Sequence, residues 1–344
     1  MASRNPVIDL TPRERRELFD QTGRAKNLPA VLVEKDFWVC WTLHRLFCLP
    51  GARENLIFKG GTSLSKVWRA IDRFSEDIDI SLSREWLGFG GSNDPEKAPS
   101  RKQRGRLLDN LSNACAAKIR EEVLPGLNRI FSEEIGADGW ILEIDPNDGQ
   151  TVLFTYPTVM DTAPTGDYVR RVVKIEGGAR SDRWPVEMQR VDSFVAEVFP
   201  KAAVEATEIP VLSIERTFWE KATILHSEVH RPADKAIPSR YSRHYSDLAV
   251  LAGLEAGKRA LERDDLRERV VAHKQIFFPA AWTSMETAVP GQFKLIPSQE
   301  RLAALARDYQ DMQQMFFKTP LPWAEIVERL RGLEKAINAR PTER

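Results

Sequence analysis

The sequence predicts an α+β fold, and three observations carry that prediction. The short apolar run Leu56-Ile57-Phe58 reads as a buried strand, and Asp77-Ile78-Asp79-Ile80-Ser81-Leu82 alternates polar and apolar as a half-buried strand does. Three further strand-like runs, 140–144, 151–156 and 168–175, are separated by turn residues and read as a meander. Helical patterns occupy both sides of this strand-rich middle. The division expected is an N-terminal part, 1–210, with helices and the sheet, and a mainly helical part, 211–344.

In chain order, Thr11 can cap a helix, Pro12 suits its first position and Glu14 completes a capping box. Pro29 opens a second helix whose Val33, Phe37, Trp41, Leu43 and Leu46 mark an apolar face. Trp38 and Trp41 read as core, and Glu34, Lys35 and Asp36 as the solvated side.

Next comes LIFKGGTSLSKVWRAIDRFSEDIDISL, residues 56–82. Gly60 and Gly61 break the first strand where backbone can approach a ligand closely. Thr62 or Ser63 can cap the next helix, in which Leu64, Val67, Trp68 and Ile71 recur at helical spacing. Asp77 and Asp79, two apart on a strand, share one face. Their charges repel unless a proton or cation intervenes, and a hard divalent cation such as Mg²⁺ resolves that repulsion. Asp-x-Asp alone is a short pattern whose bland reading is a polar strand edge. Preceded by a glycine turn whose backbone N–H groups suit phosphate, it becomes equipment for metal-assisted phosphoryl or nucleotidyl transfer.

Gly60-Gly61-Thr62-Ser63-Leu64, with Arg73-Phe74-Ser75-Glu76-Asp77-Ile78-Asp79 after it, resembles the signature of the AbiEii/AbiGii toxin nucleotidyltransferases, within the DNA polymerase β-like superfamily. The resemblance implies a mixed nucleotidyltransferase sheet and a helical half that completes the active site. It also implies that Gly60, Gly61, Thr62 and Ser63 hold the triphosphate, with Lys66 or Arg73 adding positive charge. Asp77 and Asp79 would bind Mg²⁺. Such sites take a third carboxylate from a neighbouring strand, and Glu176 is the candidate, ahead of Asp161, Asp167 and Asp182 in turns.

Two later stretches extend the resemblance. In Ser213-Ile214-Glu215-Arg216-Thr217-Phe218-Trp219-Glu220-Lys221, Ser213 caps a helix whose Ile214, Phe218, Lys221 and Leu225 share a face. A lysine there needs an anion or a route to solvent, and the family's Glu-Lys-x-x-x-Leu helix gives it the triphosphate. Arg240-Tyr241-Ser242-Arg243-His244-Tyr245-Ser246-Asp247-Leu248 resembles the family's Arg-His-Tyr-x-Asp-Leu stretch, whose aspartate belongs to the active site. Asp247 would activate the attacking hydroxyl or orient Lys221. His226 and His230 stand four apart, a zinc-compatible spacing that no third ligand supports.

Composition sets the outer limits. The chain has 344 residues, 42% hydrophobic and 29% charged, in the range of a soluble globular protein. Fifty basic and fifty acidic residues cancel, so any nucleic-acid binding must be local, and Arg101, Lys102, Arg104 and Arg106 or Arg240 and Arg243 are the candidate patches. Three scattered cysteines and the absence of an apolar leader or spanning run lead us to expect a cytoplasmic protein with no membrane contact. The function expected is a Mg²⁺-dependent toxin that transfers NMP from an NTP to an RNA acceptor, the tRNA 3′ end foremost. It would block translation or growth in a toxin–antitoxin or abortive-infection system with a separate antitoxin protein. The alternatives are a protein or small-molecule acceptor, or an idle nucleotide-binding module.

Overall fold

The computed structural model describes residues 5–160, 170–202 and 208–340. The turn expected at 163–166, Asp161, Asp167 and the first two residues of the 168–175 strand lie outside them. The chain divides into two compact units, one formed by Met1–Val67 and Ser75–Val211, the other by Trp68–Phe74 and Leu212–Arg344.

The first unit is built on a mixed seven-stranded sheet, so the fold is α+β as the sequence predicts. Its strands are β1 (Leu56–Lys59), β2 (Asp77–Leu82), β3 (Ile141–Asp145), β4 (Asp148–Thr155), β5 (Val172–Gly178), β6 (Val186–Gln189) and β7 (Ile209–Leu212). They lie in the order β3-β4-β5-β2-β1-β7-β6. The meander β3-β4-β5 is antiparallel throughout, β5 runs parallel to β2, and β2 antiparallel to β1. β6 and β7, of four residues each, have too little alternation to stand out in the sequence.

β2 sits near the middle of this sheet with Ile78, Ile80 and Leu82 buried on one face, which leaves Asp77 and Asp79 on the other. The Thr11 capping box forms as the sequence predicts and starts the helix Pro12–Lys26. The next helix, Ala30–Leu46, departs from its expected pattern. Its apolar residues are buried, but so are Glu34, Lys35 and Asp36, all under 5% exposed. Trp38 and Trp41 form core with Phe131, Phe154 and Tyr156, with the Trp41 and Phe154 rings each 4.6 Å from Phe131. With protein on every side, the helix has no solvated face for those charges.

The helix after the glycine turn runs only from Gly60 to Lys66. The expected continuation through Trp68 and Ile71 does not form, because Arg69 turns the chain with a φ of +48°. Trp68–Phe74 instead packs within the second unit, where Phe74 N–H donates to the Met315 carbonyl (2.6 Å) and Phe317 N–H to the Asp72 carbonyl (2.9 Å).

The second unit is helical. Ser213 accepts from Arg216 N–H and starts Ile214–Val229, as its spacing predicts. The helix Ser242–Ala252 is capped from outside: Asp308 accepts from Arg240 N–H (2.6 Å) and Ser242 N–H (2.8 Å). No helix among the described residues is long and apolar enough to cross a membrane.

Candidate active site

The first unit gathers the glycine turn and the carboxylates. Gly60 has a φ of +80°, and a Cβ there would overlap the Asp79 carboxylate. The turn and the second aspartate are therefore in direct contact. The N-cap residue Lys59 makes no side-chain capping bond to the helix Gly60–Lys66, whose first-turn N–H groups are the kind of donors an anion takes. The hydroxyls do not cap it either. Thr62 Oγ1 donates to the Asp77 carbonyl (2.5 Å) and lies 2.9 Å from Ser75 Oγ, while Ser63 Oγ donates to the Gly60 carbonyl (2.8 Å). Both fix the shape of the turn and tie it to the start of β2.

Across the β2–β5 pairing, Asp77 stands opposite Lys174 and Asp79 opposite Glu176. Lys174 Nζ is 2.5 Å from Glu176 Oε1 on the same face. Three carboxylates and one ammonium thus share this patch of sheet, with Glu76 beside them in sequence. Burial, then the charges of Glu176, Glu76 and Asp79, pushes the Asp77 carboxyl up to about 6. Among the described residues no three His, Cys, Asp or Glu side chains already stand together as a metal-binding group. The donor chemistry nevertheless fits a hard divalent cation: all-oxygen ligands on one face carry more negative charge than one lysine offsets.

Lys66 is placed elsewhere than the triphosphate reading assumed. Its Nζ turns inward, 2.6 Å from Asp36 Oδ1 and 3.8 Å from the centre of the Phe194 ring. That ammonium is paired in the interior of the first unit. Asp182 lies buried in the irregular stretch between β5 and β6 and accepts from Arg183 N–H (2.9 Å).

Within the second unit, Arg73, Lys221 and Asp247 come together. Arg73 Nε and an Nη each donate to a different Asp247 oxygen at 2.8 Å, and Lys221 Nζ lies 2.8 Å from Asp247 Oδ2. All three are buried. Burial alone would raise the Asp247 carboxyl, but Arg73 and Lys221 outweigh it and hold it well below the usual carboxylate range. Burial lowers the Lys221 ammonium in turn, against the pull of Asp247. A carboxylate with both oxygens engaged and so low a proton affinity is a poor base and a good anchor. Arg73, a candidate phosphate ligand by sequence, spends its fork on that anchor.

The paired histidines are structural. Burial pushes His226 down to about 4; its Nδ1 accepts from Lys294 N–H (3.1 Å) and its Nε2 faces the Ser284 carbonyl (3.1 Å). Sequence reasoning missed Lys35, Glu76, Lys174 and Asp308. For Lys35 the available signal was three consecutive charges inside the otherwise apolar VLVEKDFWVCWTL.

A family model described as the nucleotidyl transferase AbiEii toxin of type IV toxin–antitoxin systems matches residues 41–329. No curated protein matches. Among solved structures the chain is similar to MenT4, a nucleotidyltransferase toxin of Mycobacterium tuberculosis H37Rv, at 16% identity and a TM-score of 0.33 over 93% of this chain and 97% of that one.

Proposed function

The chain belongs to the AbiEii nucleotidyl transferase toxin family, and from that premise we propose that it transfers NMP from an NTP to an RNA acceptor, the 3′ end of tRNA foremost. The observation that carries the reading is the β2 face, where Asp79 rests on the Gly60 turn and Asp77 is crowded by like charges. In the reaction a hydroxyl oxygen of the acceptor bonds to the α-phosphorus. The bond from that phosphorus to the bridging oxygen breaks, pyrophosphate leaves, and the hydroxyl proton passes to water.

Gly60, Gly61 and their neighbours bind the triphosphate through backbone N–H groups, with Thr62 and Ser63 holding the turn in shape. Asp77 and Asp79, with Glu176, would hold Mg²⁺, which when bound neutralises phosphate charge and stabilises the attacking and leaving oxygens. Within the second unit Asp247, with Arg73, orients Lys221, the lysine that the family resemblance assigns to the triphosphate. Catalysis on this account is positioning and charge neutralisation. The expected biological result is growth inhibition in the cytoplasm, relieved by a separate antitoxin, as in abortive infection.

The test is to incubate the protein with each α-labelled NTP, Mg²⁺ and total tRNA, beside an Asp77→Ala/Asp79→Ala double mutant. Label should enter tRNA with the wild type and fall at least about a hundredfold in the mutant. Label on the protein or on a small molecule would replace the RNA acceptor with another class. Bound NTP with no transfer to any acceptor would overturn the reading in favour of a binding module.

A further inference from the structure

We propose that Lys35 is a positioning residue for the Asp77–Asp79 face, fixing the starts of the two strands that carry its carboxylates. The proposal rests on the reading of that face as the transfer centre. Lys35 lies on the helix Ala30–Leu46 with its side chain 1% exposed. Its Nζ is 2.6 Å from Glu76 Oε2 and donates to the Arg170 carbonyl at 2.6 Å. Glu76 immediately precedes Asp77, the first residue of β2, and Arg170 stands two residues before Val172, the first of β5. One ammonium therefore bridges the beginnings of β2 and β5, whose register sets Asp79 opposite Glu176.

The flanking charges repeat the pattern. Glu34 accepts from Thr158 Oγ1 and Val159 N–H, both at 2.7 Å, just beyond the end of β4. Asp36 accepts from Phe194 N–H (2.6 Å) and pairs with Lys66, the last residue of the helix after the glycine turn. Successive helical residues point in different directions, so three in a row reach different parts of the first unit. Stability does not explain such an arrangement, since a buried ion pair gains little over well-packed apolar side chains. An apolar residue at 35, however, could not hold Glu76 away from Asp77 or offset its charge. Supporting groups of this kind typically carry 10–100-fold effects on metal sites.

The test compares the full chain with Lys35→Met, Glu76→Gln and the double variant, measuring kcat, KM for NTP and backbone amide exchange. Lys35→Met should lower kcat about 10–100-fold with KM within about threefold. Exchange should quicken at residues 76–79 and 170–174 and nowhere else. The double variant should recover stability, because it removes the carboxylate that Lys35→Met leaves unpaired, but not kcat, because the link between β2 and β5 stays broken, and it serves as well where the single variant fails to fold. Unchanged kcat and exchange in Lys35→Met would overturn the proposal. So would exchange quickened along the whole chain with no recovery in the double variant, since that marks general destabilisation. If the wild type transfers no nucleotide, the reading of the face fails, while local exchange still decides whether Lys35 fixes the strands.

Discussion

At Gly60 the Asp79 carboxylate occupies the space a β-carbon would need, and the backbone is left-handed at a φ of +80°. A side chain there meets two obstacles at once, a strained dihedral and a clash with a candidate metal ligand. Gly60→Ala should cost on the order of 1–3 kcal/mol of stability. By displacing Asp79 it should also cut nucleotide transfer about a hundredfold. Gly178 is a useful control, because a Cβ there meets nothing within 4 Å. Thermal melts and transfer assays on Gly60→Ala and Gly178→Ala should separate the two positions. Equal behaviour would mean that the contact with Asp79 does not matter. The aspartate pair and the glycine turn were legible in the sequence because each is a local pattern. The role of the Thr62 hydroxyl was not, since its acceptor lies fifteen residues along the chain.

Among the elements, those fixed by neighbouring residues obey their sequence signals: the Thr11 capping box, the Ser213 cap and the alternation of β2. The exceptions share one cause, that partners distant in sequence override local preference. The helix Ala30–Leu46 buries Glu34, Lys35 and Asp36 because segments distant in sequence, up to 158 residues away, supply their partners. The helix Ser242–Ala252 likewise takes its cap from Asp308, sixty-six residues on. On that helix Asp247 neutralises two buried cations, Arg73 and Lys221. Asp247→Asn keeps the shape and removes the charge, leaving both cations uncompensated. It should cost about 3–5 kcal/mol by denaturant titration. Losing Lys221 as well, in Asp247→Asn/Lys221→Met, should restore part of that stability while leaving transfer abolished. A double variant less stable than the single would contradict the anchor role.

For the whole molecule, net charge was informative chiefly in the question it left open. Fifty acidic and fifty basic residues give no overall attraction for nucleic acid, so the acceptor has to be recognised locally. The sheet, the helical half and the family emerge from patterns spread along most of the chain, and residues 41–329 match the family model. The central claim concerns one small surface, the β2 face on which the carboxylates repel one another. Anomalous diffraction from crystals grown with Mn²⁺ and a non-hydrolysable NTP tests it most directly. The account predicts a metal peak at about 2.1 Å from oxygens of both Asp77 and Asp79, with the triphosphate on the Gly60–Gly61 turn. A bound nucleotide whose metal lies away from both aspartates would contradict it.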